Sequence, residues 1–292
     1  MSSSLHKVLQ LCERQCFLWP VVISKDSNNF VEYFKFGFAG ELLKNNICQE
    51  WLLSMVMNTD ENIFPYHSHG FTRNIIKDLR EPFEYVKKLS NSQLPFGISE
   101  TRLEVRDLLS NMTQEETRYF QPQKHTVLWS CIFARPGNAM QRFYQWQRQR
   151  KMWWRKFSAS PGRFFLTDIQ SGPDGQLVEI KAEFPWGSET VETVCYSGVR
   201  LFENIESTEK ELFEARDGRK KVMPHVIEST ASLESSVLIF LCDAYDEPLF
   251  LGLPRQMLRF HRNCISRRGT WSVVPVPDQA ASKCGNFNSV VT

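Results

Sequence analysis

Eight cations, Arg135, Arg142, Arg148, Arg150, Lys151, Arg155, Lys156 and Arg163, fall between Arg135 and Thr167 with no acidic residue among them. The whole chain carries a formal net charge of only +2, so this stretch concentrates positive charge locally. Clustered guanidinium and ammonium groups displace counterions from a phosphate backbone, which makes the segment a candidate nucleic-acid contact. If about six of them met phosphates, affinity would fall by roughly 10³–10⁵ between about 50 and 200 mM salt. Phe143, Trp146, Trp153, Trp154 and Phe157 recur mostly at helical spacing in the same stretch, so they would line one face while the cations fan out around the others. The same pattern also describes a helix docked by its aromatics, with solvated arginines whose stems lie along apolar surface. Spacing alone leaves both readings open. Within the stretch, Arg148, Arg150, Lys151, Arg155 and Lys156 are the candidates for phosphate contact. A smaller basic cluster, Arg216 followed by Gly218-Arg219-Lys220-Lys221, adds Arg219 and Lys220 at a turn, where a solvated loop is the plainer reading.

Other chemistry finds little support. His67-Ser68-His69 suggests a metal site, but no second His or Cys pair stands at ligand spacing, so a surface loop is expected. Glu228 follows a strand-like segment and could serve as a functional carboxylate, although a lone Glu is usually solvated or paired. The chain has no GxxxxGK[ST] phosphate loop, no GxGxxG fingerprint and no GxSxG nucleophile elbow. We therefore expect no catalytic residue, no cofactor and no metal.

The elements that must position these residues are legible from periodicity. With 292 residues, 42% hydrophobic and 23% charged, the chain is long enough to bury a sizeable core and has the composition of a globular protein. Its longest apolar run, Val237 to Cys242, is too short to span a bilayer. None of its eight cysteines forms a CxxC pair and most lie in apolar stretches, so buried free thiols are expected. The amino-terminal segment has some presequence character in Ser2, Ser3, Ser4, Lys7 and Arg14. The spacing of Leu5, Val8, Leu9 and Cys12 predicts an ordinary amphipathic helix instead. Leu42, Leu43, Ile47, Trp51, Leu52 and Met55 predict a helix over residues 41–57, entered through a tight turn at Gly37-Phe38-Ala39-Gly40. A second helix is expected over about 72–89, kinked or divided at Pro82. Strands are expected at Val127–Phe133, on both sides of the Gly172-Pro173-Asp174-Gly175 turn, at Leu177–Phe184, at Thr190–Tyr196 and at Val222–Ile227, before a helix from Leu233 to Tyr245. Strands in series without intervening helices argue for an antiparallel sheet in an α+β domain. After about Arg262 the hydrophobic pattern fades into a tail with Gly269, Pro275, Pro277 and Gly285, expected to be poorly ordered.

Two sets of motifs carry a family resemblance. Gly37 to Asn46 followed by Trp51, Leu94-Pro95-Phe96-Gly97-Ile98, and Pro224-His225-Val226-Ile227-Glu228 resemble the three signatures of glycyl-type class II aminoacyl-tRNA synthetases. Trp153-Trp154-Arg155-Lys156-Phe157, Phe184-Pro185-Trp186-Gly187 and Arg216-Asp217-Gly218-Arg219-Lys220 resemble the accessory-subunit family of mitochondrial DNA polymerase (polymerase gamma), which is built on that synthetase fold. The likeness covers roughly Leu9 to His261.

It implies a class II synthetase-like antiparallel sheet flanked by helices over residues 1–262, with 66–93 as a short helical insertion. Residues 263–292 would form an irregular tail in place of an anticodon-binding-like domain. It implies a non-catalytic processivity subunit that binds the polymerase's catalytic subunit and primer-template DNA in the mitochondrial matrix and its nucleoids. Vertebrate members dimerise through a long insertion where this chain has only Tyr66 to Gln93, so a homodimer is an open expectation. Two departures argue against aminoacylation: Ser99-Glu100-Thr101-Arg102-Leu103-Glu104 does not reproduce the second signature, and Ser235 stands where the third signature has its ATP-binding arginine. The alternatives are a divergent glycyl-type ligase and a stand-alone duplex-binding module.

Overall fold

In the computed structural model, the apolar run around Val127–Phe133 lies near the centre of a large sheet, and helices cover both of that sheet's faces. The structure describes residues 3–25, 28–57, 62–67, 75–106, 117–173, 175–203 and 205–261. Helix α1 (Ser3–Arg14) leads into a hairpin of β1 (Leu18–Lys25) and β2 (Asn28–Phe36). Then come α2 (Phe38–Val56), β3 (Ile63–Tyr66), α3 (Ile75–Leu89), β4 (Phe96–Val105) and β5 (Lys124–Ala134). Helix α4 (Ala139–Phe157) precedes β6 (Phe164–Leu166), β7 (Gln170–Gly172), β8 (Gly175–Phe184) and β9 (Gly187–Gly198). Next are α5 (Ser207–Phe213), β10 (Ala215–Asp217), β11 (Lys220–Val222), β12 (His225–Ser232) and α6 (Leu233–Ala244). Four short strands follow: β13 (Tyr245–Asp246), β14 (Leu249–Phe250), β15 (Leu253–Pro254) and β16 (Met257–Leu258). No described helix is long and apolar enough to cross a membrane.

Among the described residues the sheet has eight strands, ordered β3-β4-β5-β12-β9-β8-β6 with β7 also paired to β8. All its pairs are antiparallel except β3 with β4, which is parallel. The expectation of an antiparallel sheet is therefore corrected to a mixed one. The reason is connectivity: β3 returns to β4 through the span that holds α3, and a crossover of that kind sets two strands parallel.

Side chains alternate across the sheet, and the two faces build two cores. Leu128, Ile132 and Ala134 of β5, Ile227 and Ala231 of β12, and Val178, Ile180 and Ala182 of β8 join α1, α2, α4 and α6 in the larger one. Val127, Trp129, Cys131 and Phe133 of β5 turn the other way, with Phe96, Ile98 and Val226, toward α3 and α5.

Several local expectations change. Helix α2 begins at Phe38, so Phe38-Ala39-Gly40 is helix and only Gly37, its N-cap, is the turn. A Cβ on Gly40 would lie 1.8 Å from the Phe17 carbonyl oxygen, so that glycine serves close backbone approach. Helix α3 runs unbroken through Pro82. Proline removes one backbone hydrogen bond, but buried Leu79, Phe83 and Val86 clamp the helix, and Phe83 meets Phe133 edge-on at 4.7 Å. The strand expected over Val222–Ile227 is two strands, because β11 ends at Val222 and β12 starts at His225 after Pro224, which has no N–H to donate. The spacing of Leu5, Val8, Leu9 and Cys12 does mark a buried face of α1. That helix is tied to the 245–260 segment by Lys7–Glu247 at 3.0 Å and by a bond of 2.6 Å from Arg14 to Gln256. Cys12, Cys131 and Cys242 are buried free thiols, and desolvation pushes each of them above the usual thiol range. The tail expected at 263–292 lies outside the described residues.

Candidate nucleic-acid interface

Helix α4 follows a short 3-10 turn at Pro136–Asn138 and ends at Ser158. Its end is fixed by Asp243 of α6, a buried carboxylate. Asp243 accepts bonds from the Ser158 hydroxyl at 2.8 Å and the Ala159 N–H at 2.6 Å, and it pairs with Arg163 at 3.2 Å. The inner side carries Phe143, Trp146, Trp153, Trp154 and Phe157, all buried. Trp154 packs with near-parallel rings against Phe240 at 5.4 Å and Phe164 at 5.8 Å, and those two rings meet each other at 6.5 Å. Aromatic side chains of this size dominate the burial energy of the helix and fix its rotation.

Arg150 lies on this inner side and not with the other basic candidates. Its side chain is 3% exposed and makes a two-pronged pair with Glu192 of β9, Nε to Oε1 at 2.7 Å and Nη2 to Oε2 at 3.2 Å. Trp154 Nε1 donates to the same carboxylate at 2.7 Å, and Arg150 Nη1 donates to the Ser54 hydroxyl of α2 at 3.3 Å. A guanidinium held this way does not reach a phosphate outside the protein, so Arg150 is removed from the contact set.

Glu192 was not singled out from the sequence, yet a signal was present. Val191 and Val194 are three residues apart and cannot share a face of a regular strand. The strand register shifts opposite Ile180/Lys181, a bulge that turns Val191 and Glu192 both into the larger core. Ser54 and Asp243, the other polar anchors of α4, had no comparable signature.

Arg148 and Lys156 are exposed and Lys151 and Arg155 half-exposed on the outward side of α4. None of these four is ion-paired among the described residues, and no acid occurs within the helix. Several cations elsewhere are matched: Arg102 with Glu104 at 2.7 Å, Arg259 with Asp246 at 2.8 Å, Lys44 with Glu234 at 3.4 Å. Arg155 and Lys156 complement the carboxyl end of the helix dipole, but Arg148 and Lys151 lie too far from that end for the same explanation.

Arg219 and Lys220 are exposed at the tip of the β10–β11 hairpin, where Gly218 takes a φ of +65°. The hairpin is held by Arg135–Asp217 at 3.5 Å and a bond of 3.2 Å from Gln93 to the Gly218 carbonyl. Ala215 and Val222 anchor it to the smaller core, whereas α4 belongs to the larger. The two basic clusters therefore pack against opposite faces of the sheet and do not form one surface.

The synthetase-like positions are structurally occupied. Ser232 caps α6, accepting from the Ser235 N–H at 3.3 Å, and the Ser235 hydroxyl donates to the Phe120 carbonyl at 2.7 Å. Ser235 is thus buried in the first turn of α6, with its hydroxyl spent on the Phe120 carbonyl. On the sheet's other face Glu228 accepts from Trp129 Nε1 at 3.1 Å, and burial raises its carboxyl above the usual range. Arg102 stacks over Trp129 at 5.0 Å. His67 is exposed and His69 lies outside the described residues; among the described residues no group of three His, Cys, Asp or Glu side chains could hold a metal.

No family model matches the chain. It is 34% identical over 189 residues to the mitochondrial DNA polymerase subunit gamma-2 of Xenopus laevis, a match covering 61% of this chain and 40% of that protein. This chain is similar to the polymerase gamma accessory subunit. The Mus musculus gamma-2 subunit is 29% identical over 180 residues, covering 59% and 39% of the two chains. A glycine–tRNA ligase from Treponema denticola is 26% identical over 200 residues, covering 62% and 42%. The likeness to gamma-2 subunits agrees with the resemblance carried by the motifs around Trp153, Phe184 and Arg216, and the likeness to a glycine–tRNA ligase with that carried by the motifs around Gly37, Leu94 and Pro224. The chain spans about two fifths of the length of the curated relatives it matches.

Proposed function

We propose that this chain is a non-catalytic accessory subunit of mitochondrial DNA polymerase, which binds primer-template DNA and the catalytic subunit and raises processivity. The observation that carries the reading is the outward side of α4: Arg148, Lys151, Arg155 and Lys156, without a carboxylate partner among the described residues, on a helix anchored beneath by aromatics and a buried ion pair. Unneutralised cations on a firmly anchored helix suit a phosphate backbone because little helix order has to be created on binding. Similarity to gamma-2 subunits supports the polymerase partner, and the word mitochondrial in the frog relative's name supports the compartment. Arg219 and Lys220 are assigned to a separate contact with DNA on the far side of the sheet. Ser235 in place of the signature's ATP-binding arginine, with its hydroxyl spent on the Phe120 carbonyl, supports this reading over a glycyl-type ligase.

The test is primer extension by the purified catalytic subunit of mitochondrial DNA polymerase, with and without this chain. The expected outcome is longer products per binding event, lost when Arg148, Lys151, Arg155 and Lys156 are replaced by alanine. Product length unchanged by the chain at any concentration would refute the proposal. Glycine-dependent pyrophosphate exchange is expected to stay at background.

A further inference from the structure

The outward side of α4 is only partly cationic. Gln141, Gln145 and Gln149 follow one another at four-residue steps and all three are exposed. At about 100° per residue, this row and the row of Arg148, Lys151 and Arg155 are set roughly 90° apart around the helix axis. At the radius of the side-chain ends that is a separation of roughly 8 Å. Lys156 continues the glutamine row at its carboxyl end. No side-chain hydrogen bond joins these three amides to any described residue.

Glu or Asp three or four residues from a cation stabilises an exposed helix by about 0.2–0.5 kcal/mol per pair. Helix α4 instead carries uncharged amides beside its cations. An acid there would repel a phosphate backbone, whereas an amide adds no charge and offers both donor and acceptor. Phosphate oxygens need only donors. Base edges in the major groove display donors and acceptors together, and a glutamine amide can pair with them in two-pronged fashion.

We propose that Gln141, Gln145 and Gln149 form the base-facing side of the α4 contact, directed into the major groove while Arg148, Lys151 and Arg155 hold the adjoining strand's phosphates. This rests on the reading of α4 as a DNA contact and adds how the helix is oriented on the duplex.

The test compares duplex affinity across a salt series for three forms of the full chain: unaltered, Q141A/Q145A/Q149A and R148A/K151A/R155A, on a duplex of about 20 base pairs. Alanine is the strongest helix former, and all three glutamines are exposed, so circular dichroism and urea unfolding should match the unaltered chain. The glutamine variant is expected to bind about tenfold more weakly at every salt concentration with an unchanged slope, because no counterion-releasing contact is lost. The cation variant should flatten the slope of log affinity against log salt by about 2.7, at ~0.9 per phosphate contact. A glutamine variant that binds like the unaltered chain, or that changes the slope, overturns this inference while leaving the cationic contact standing. A cation variant with an unchanged slope, or an unaltered chain that does not bind duplex, overturns both.

Discussion

Arg150 and Lys151 are neighbours in the chain and do opposite work. The first is 3% exposed and locked to Glu192, Trp154's partner carboxylate, beneath the helix; the second points outward with no carboxylate beside it among the described residues. One residue is a rotation of about 100° around the helix axis, enough to move a cation from the core to the surface. The inner pair contributes to where the helix sits, and the outer row to what it can meet. Counting arginines along a segment therefore overstates the charge that a partner would feel.

The largest expected effect falls on the inner side. Glu192→Ala leaves the Arg150 guanidinium buried without its carboxylate, and breaking a buried pair from one side costs about 3–5 kcal/mol. Urea unfolding should show that loss, and a loss under about 1 kcal/mol would mean that Arg150 escapes to solvent. Next is the core beneath: Phe240→Ala removes the ring stacked on Trp154 and should cost about 3–5 kcal/mol, less if α6 collapses into the cavity. On the outer side, the triple replacement of Arg148, Lys151 and Arg155 by alanine should change stability by less than about 0.5 kcal/mol each while flattening the salt dependence of duplex binding. Equal losses of stability on both sides of α4 would dissolve the distinction drawn above. Replacing Arg219 and Lys220 by alanine should leave stability unchanged and alter short-duplex affinity less than the α4 triple does, since the hairpin lies across the sheet.

The smallest effect concerns Glu228. Its carboxyl is raised by burial, so the folded state takes up a proton that the unfolded state releases, and stability falls as pH rises from the unfolded value of about 4.3 toward the folded one. Glu228→Gln keeps an acceptor for Trp129. The variant should match the unaltered chain at low pH and become modestly more stable than it toward neutrality. A constant difference in unfolding free energy across that range would show that Glu228 does not titrate differently in the two states.

Most of the elements were readable from periodicity, and the resemblance to gamma-2 subunits from short motifs around Trp153, Phe184 and Arg216. The aromatic spacing of α4, the alternation of β8, the apolar face of α1 and the apolar run of α6 each reflect one rule applied to one segment. Misreadings came where two segments decide jointly. Pro82 reads as a kink or a division, and that it does not divide α3 follows only once the aromatics of β4, β5 and α5 that pack on the helix are placed. Gly40 reads as a turn until the Phe17 carbonyl that excludes a Cβ is placed. The parallel pairing of β3 with β4 depends on a crossover that no local pattern encodes.

For the candidate interface, the sequence by itself determined that a helix rich in cations, free of acids and backed by tryptophans exists between Arg135 and Thr167. Side-chain type and a period of about 3.6 residues are enough for that. Only the tertiary structure decided that Arg150 belongs to the core, that Arg219 and Lys220 lie on another face, and that the remaining cations stand beside a row of glutamines. Burial and pairing depend on the strand bulge at Val191 and on carboxylates tens of residues away, and those meet α4 only when the chain is folded.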